Sequence, residues 1–160
     1  MSTSTTQTRP AQLTNAPDLT VRPPRSPRQR LGGFALLPRM LDKGRATLIE
    51  KNGEYHFNCP LDQRFVQFTG IDVEALKSQL AQGLGDGEIL EWIQKTATHP
   101  REAWEIAAWS AYQEARGPGD VESREFFGEL LGKLTTSRED IAGWFDLLDL
   151  DDYVSFGGKA

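Results

Sequence analysis

From Leu36 to Leu148 apolar residues return every three or four positions, in runs cut by proline, glycine and aspartate. That period belongs to the α-helix and not to the two-residue alternation of a strand. It points to a mainly α, compact, multi-helix bundle-like domain. Leu37, Met40, Leu41 and Leu48 predict a helix from about Pro38 to Lys51, with Pro38 in the first turn, where its missing N–H costs nothing. Gly44 inside that helix costs about 1 kcal/mol relative to alanine, and is read as a place where another backbone approaches. Pro60 opens the next helix, with Leu61, Phe65 and Phe68 on one face and Gly70 as its stop. Asp72 caps a helix carrying Val73, Leu76 and Leu80, and Asp86 caps one carrying Ile89, Trp92 and Ile93.

Thr98 or His99 opens a helix with Trp104, Ile106, Trp109 and Tyr112 among many alanines. It is apolar around most of its circumference, so it is expected at the centre of the domain. Gly117-Pro118-Gly119 breaks it. Asp120 caps a helix with Phe127, Leu130, Leu131 and Leu134. Ser137 with Asp140 reads as a capping box for the last helix, which carries Ile141, Trp144, Phe145 and Leu148. Strand signal is confined to the alternation Glu54-Tyr55-His56-Phe57-Asn58, so at most a short strand or hairpin is expected near 53–58.

The remaining segments divide by composition. Residues 1–17 read as a disordered tail. Residues 18–35 read as an extended Pro/Arg-rich basic arm, because Pro23, Pro24 and Pro27 discourage helix and sheet alike, with Leu19 and Leu31 pinning it to the body. A plain connecting arm is preferred to an SH3-type ligand. Residues 36–150 form the single helical domain and 151–160 a C-terminal tail.

Cys59 is the only cysteine, which excludes an intramolecular disulfide and cysteine-rich zinc sites. No apolar run is long enough to span a bilayer, and the N-terminus lacks the apolar stretch of a secretory signal. Cytoplasmic location without membrane contact is the expectation. The formal charge of −5 is unevenly spread, +6 over residues 1–45 and −11 over 46–160. Three partners suit a basic arm: its own acidic body, a second copy in a homodimer, or nucleic acid. Nucleic acid ranks last, because an acidic body repels phosphate.

Several residue groups could carry chemistry. His56, Cys59 and Asp62 stand three apart and are candidate proton-transfer or nucleophilic groups. One histidine and one cysteine do not complete a tetrahedral shell, so no metal and no cofactor are expected. Arg39 and Lys43 share a helix face, as do Asp42 and Arg45. This basic helix is the best sequence candidate for holding an anionic small molecule, with Tyr55 beside it; its alternative is pairing with the acidic body. Trp109 and Tyr112, with Trp104, would line an aromatic pocket, although aromatics at helical spacing are more often core. Asp146, Asp149, Asp151 and Asp152 lack the central Gly and final Glu of a calcium loop and read as a solvated end. Neither Gly32-Gly33 nor Gly83-Leu84-Gly85-Asp86-Gly87 is a phosphate loop. There is no Gly-x-Ser-x-Gly and no His-Glu-x-x-His.

Leu37-Pro38-Arg39-Met40-Leu41-Asp42-Lys43 with Arg45, then Gly53-Glu54-Tyr55, Leu61-Asp62-Gln63, Phe68-Thr69-Gly70-Ile71-Asp72 and Asp86-Gly87-Glu88-Ile89-Leu90-Glu91-Trp92, resemble a bacterial family known as domain of unknown function 5069. The resemblance runs from about Asp18 to the C-terminus. It implies a bacterial, cytoplasmic, mainly helical protein and assigns no activity and no residue role. With no catalytic signature, a non-enzymatic binding or protein-interaction module is expected first. A small enzyme or ligand carrier using the basic helix comes second, and nucleic-acid binding through the arm third.

Overall fold

A computed structural model of the chain describes residues 13–160. Its axis is helix α1 (Leu37–Leu48), in which every residue from Leu37 to Ala46 is buried. Leu37, Met40 and Leu41 pack with Phe34, Phe65, Leu76, Leu80, Ile89 and Ile93 in the main core. α1 ends before Asn52-Gly53 is reached. Glu50 takes a left-handed φ of +58°, and the Lys51 N–H returns to the Ala46 carbonyl at 2.8 Å, closing the last turn.

Among the described residues six more helices follow α1: α2 (Pro60–Thr69), α3 (Val73–Ala81), α4 (Asp86–Thr96), α5 (Ala103–Ala115), α6 (Val121–Leu134) and α7 (Trp144–Ser155). The mainly α reading holds. Pro60 and Gly70 bound α2 as the sequence predicts, Gly70 with φ +69°. The Asp72 carboxylate caps α3 through Ala75 N–H at 2.9 Å, and that of Asp120 caps α6 through Ser123 N–H at 2.7 Å. Asp86 is not a cap. It is the first residue of α4, and its carboxylate turns to arginines instead. The proposed capping box at Ser137 and Asp140 is also absent. Asp140 pairs with Arg138 at 2.6 Å, and α7 begins at Trp144, where Asp146 accepts from Gly143 N–H at 2.9 Å.

The strand reading near 53–58 is corrected. Gly53 and Asn58 have φ of +54° and +61°, and Tyr55 N–H donates to Asn52 O at 3.0 Å. The segment is a pair of turns, because left-handed residues at both ends interrupt an extended run. The hairpin lies inside the arm: β1 (Arg30–Leu31) pairs antiparallel with β2 (Phe34–Ala35). Gly32 and Gly33, at φ +58° and +84°, form the two-residue connection that tight hairpins favour.

The rest of the arm lies along the body of the same chain. Leu19 is buried and its N–H donates to Lys51 O at 2.8 Å. Ser26 donates to Asp149 at 2.8 Å, Arg28 pairs with Asp146 and Asp149, and Arg30 pairs with Glu114 at 3.0 Å. Of the expected disordered tail, residues 1–12 lie outside the described residues. In the remainder Pro17 is buried and Asn15 donates to Leu84 O at 3.2 Å.

The expectation of a central α5 is overturned. Trp104 is 71% exposed and Tyr112 59% exposed, and most of the alanines also face outward. α5 docks through one stripe. Trp109 stacks on Phe68 at 4.8 Å. Ser110, fully buried, donates to Gly33 O at 2.7 Å and accepts from Ala35 N–H at 2.9 Å. Alanine carries little apolar area, so an alanine-rich circumference supplies a weaker pull inward than its hydropathy suggests. The first half of the expected tail from 151 onward is helical: α7 runs to Ser155, and Asp152 is buried. Among the described residues no helix is long and apolar enough to cross a membrane.

Gly44 faces side chains and not a backbone. A Cβ there would lie 2.6 Å from Leu80 Cδ1 and 3.1 Å from the Phe57 ring. Leu80 is fully buried and has little room to move. Gly44→Ala should therefore lose roughly 1–2 kcal/mol in denaturant unfolding, because overpacking outweighs the gain in helix propensity.

Candidate functional site

α1 carries Arg39, Asp42, Lys43 and Arg45 through the middle of the protein, all buried. Buried charges persist only with partners, and the partners come from four other parts of the chain. Lys43 Nζ lies 2.9 Å from Asp62 Oδ1 on α2. Arg39 grips Asp152 on α7 with two bonds of 2.7 and 3.2 Å. Arg45 pairs with Asp86 of α4 at 2.7 Å. Asp42 receives Arg25 of the arm, whose guanidinium also reaches Asp86 at 2.7 Å. Four cations thus meet four carboxylates.

The two helix faces read from the sequence lead to two different places. Asp42 and Arg45 face Arg25 and Asp86 in a closed network. Arg39 and Lys43 face a cavity of about 580 Å³ between α1, the 53–61 loop and α7. Tyr55, His56 and Cys59 line the same cavity, with Leu19, Leu61, Leu148 and Phe156 as apolar wall and Glu54 and Asp151 as acidic members.

Its floor is held in place by hydrogen bonds. Tyr55 Oη donates to Asp152 Oδ1 at 2.7 Å, and the Arg39 guanidinium sits 5.4 Å from the Tyr55 ring centre. Burial, and then the bond and charge of Asp152, push the Tyr55 phenol well above its ordinary value, so it stays protonated as a donor. Lys43 Nζ also lies 3.2 Å from Cys59 Sγ. Asp62 is behind this pair, nearly inaccessible, and its second oxygen accepts from Asn58 N–H at 2.9 Å. Cys59 stands at the start of α2 followed by Pro60, and Asp62 lies in that helix's first turn, where a carboxylate is favoured by the helix dipole.

Of the candidate residues, Arg39, Lys43, Tyr55, His56 and Cys59 converge on the cavity, and Asp62 supports it from behind. Asp42 and Arg45 do not reach it. Neither do Trp109 and Tyr112. Trp109 belongs to an aromatic cluster with Phe34, Phe65 and Phe68, while Tyr112 and Trp104 face outward, so the three side chains do not come together to line one pocket. Among the described residues no three His, Cys, Asp or Glu side chains are grouped to hold a metal.

Sequence reasoning missed Arg25, Asp86 and Asp152. For two of these a signal was present. Asp86 precedes Ile89 and Ile93 by three and seven positions, and Asp152 follows Phe145 and Leu148 by seven and four. Each carboxylate therefore lies on its helix's apolar stripe, which marks it for burial.

Asp86 also sets a pH dependence. Burial pushes its carboxyl up, but hydrogen bonds and charge from Arg25 and Arg45 outweigh burial and hold it below the usual carboxylate range. A depressed carboxyl contributes stability above the unfolded value of about 4 and loses it as pH falls through the lower folded value. In urea unfolding at pH 7, 4 and 3, the gap between the parent and Asp86→Asn should be widest at pH 7 and shrink below pH 4.

Comparison with curated proteins finds no match. A family model described as "Domain of unknown function (DUF5069)" matches residues 21–154, the span that holds Arg25, all of α1, the cavity loop and Asp152. The chain belongs to that family.

Proposed function

We propose that the protein is a binding protein for a small molecule, held in the cavity over Arg39 and Lys43. One observation carries the reading: Arg39, Lys43, Tyr55, His56 and Cys59, from two separate segments, line one concavity of about 580 Å³. That volume is in the range of small-molecule sites, and an apolar wall with a few fixed polar groups is their usual composition. The charge arrangement narrows the guest. Arg39 and Lys43 are already matched by Asp152 and Asp62, and Glu54 and Asp151 add negative charge. An anion would have to compete with buried carboxylates for its cation, at a cost of several kcal/mol. An uncharged polar molecule, or one bearing an amine, meets no such penalty and can use the Tyr55–Asp152 pair and the apolar wall together.

Cys59, the only cysteine, is a built-in reporter. A thermal-shift screen across neutral, amine-bearing and carboxylate compounds should yield ligands that raise apparent stability, by about 2.7 kcal/mol at a hundred times Kd. True occupants of this cavity should also slow alkylation of Cys59 by iodoacetamide. If stabilising compounds leave that rate unchanged, the cavity is not their site.

A second reading, in which Cys59 reacts with a bound substrate, is favoured by the 3.2 Å approach of Lys43 Nζ to its sulfur. Cys59→Ser separates the two, because it spares binding and abolishes chemistry. The arm gives less support to nucleic-acid binding or to pairing with a second copy. Arg25, Arg28 and Arg30 are each engaged by carboxylates of the same chain. A nucleic-acid titration at low salt tests the first of these and light scattering the second.

A further inference from the structure

A second cavity, of about 430 Å³, lies where α2, the end of α5, α6 and α7 meet. It shares Cys59, Leu61 and Leu148 with the first cavity but has a different chemistry. Its walls are Phe126, Leu130, Trp144 and Leu147, and its charged members are Arg64 and Arg116, with no acidic residue among them. In a chain of net charge −5, a lining with two cations and no anion is unusual.

These two arginines differ from most of the others. Arg25, Arg28, Arg30, Arg39, Arg45, Arg101 and Arg138 all have a carboxylate within ion-pair distance. Among the described residues Arg64 and Arg116 have none, and the others without one, Arg22 and Arg124, are exposed and line no such cavity. Arg64 is positioned by its Nε, which donates to Gln113 Oε1 at 2.9 Å, and Gln113 is itself buried. Arg116 sits one turn further on, its guanidinium 5.8 Å from the centre of the Trp144 ring. Arg116 Nε is buried without any hydrogen-bond partner. The C-terminus of α5 favours a cation there, but it does not satisfy that nitrogen. Burial, and then the nearby Arg64 charge, lower the Arg116 guanidinium from its ordinary value. Two like charges held together at the rim of an apolar cleft are worth most to a ligand that brings one negative charge and an apolar body.

We propose that this cleft binds a small apolar monocarboxylate, its chain or ring against Phe126, Leu130 and Trp144 and its carboxylate shared by Arg64 and Arg116. The cleft adjoins the cavity proposed above, with which it shares Cys59, Leu61 and Leu148, but Arg64 and Arg116 do not line that cavity.

Octanoate and 1-octanol, which differ in charge, are the probes, and calorimetric titration of the full chain is the measurement. Octanoate should bind saturably and roughly tenfold or more tightly than 1-octanol, as expected for a charge-assisted hydrogen bond. Arg64→Gln and Arg116→Gln should each remove most of that difference and leave 1-octanol unchanged. Both variants should retain the parent's circular dichroism, since each relieves a repulsion. If one fails to fold, the other variant and the octanoate–octanol comparison on the parent decide the matter. Equal binding of the two probes, no saturable octanoate binding at millimolar concentration, or parent-like octanoate affinity in a folded Arg64→Gln/Arg116→Gln double variant would each overturn the proposal. Because Cys59 borders both cavities, its protection alone does not tell them apart: a ligand whose binding Arg64→Gln or Arg116→Gln weakens belongs to this cleft, and one that protects Cys59 but is unaffected by both variants belongs to the Arg39–Lys43 cavity.

Discussion

Asp62→Ala is expected to lose about 3–5 kcal/mol of stability, because it leaves the Lys43 ammonium buried without a counter-charge. The Lys43 and Asp62 side chains are 4% and 2% exposed, so solvent compensates the missing carboxylate poorly. Asn58 N–H loses its acceptor in the same variant. For a domain whose total stability is of order 5–15 kcal/mol, this is about a fifth of the margin or more. The double variant Lys43→Met/Asp62→Leu should recover much of the loss, since replacing both charges with apolar side chains removes the desolvation penalty. It should still fall short of the parent by about 1–3 kcal/mol, the cost of the unpaired Asn58 N–H. Guanidinium chloride unfolding of the parent, Lys43→Met, Asp62→Leu and the double variant gives the coupling energy. A single variant within 1 kcal/mol of the parent would mean that the pair is hydrated, and the rigid floor assigned to the first cavity would fall with it.

The second large effect concerns what α5 rests on. Phe65 is fully buried, 5.2 Å from the Phe34 ring in an edge-on contact and 6.3 Å from Trp109. It therefore joins α2 to β2 and to the docking stripe of α5. Phe65→Ala should cost about 3–5 kcal/mol, the loss of the ring plus the cavity it leaves. Trp104→Ala removes a larger side chain, yet it should change stability by no more than about 0.5 kcal/mol, because Trp104 is 71% exposed. Thermal unfolding of both variants separates these outcomes. A costly Trp104→Ala would mean that its face of α5 is covered in solution.

The contrast between Phe65 and Trp104 marks the limit of reading by pattern. Helix positions were legible because their causes are local: spacing for the buried face, Asp72 and Asp120 for caps, Pro60 and Gly70 for the bounds of α2. Which helix is central was not legible. α5 reads as the most apolar helix, and α1 carries four charged residues in its middle, so hydropathy orders them the wrong way round. The decisive partners are remote. Lys43 finds Asp62 19 positions away, Arg45 finds Asp86 41 away, and Arg39 finds Asp152 113 away. No window along the chain contains both halves of such a pair.

The candidate site divides in the same way. Arg39, Lys43, Tyr55, His56 and Cys59 could be singled out by residue type and spacing, and they do share a cavity. That their cations arrive already neutralised depends on Asp62 and Asp152. The Arg64–Arg116 cleft left no trace in the sequence, because nothing local indicates that an arginine lacks a partner.

What the chain's order of residues determined alone was the helical period, part of the stops and caps, and the faces of α1. Each follows from backbone geometry and hydrogen bonding within a few residues. Tertiary structure alone decided that a helix with four charged residues is the innermost one, and which cations remain unpaired. A buried charge is tolerable only when a distant carboxylate reaches it, and only the folded chain brings the two together.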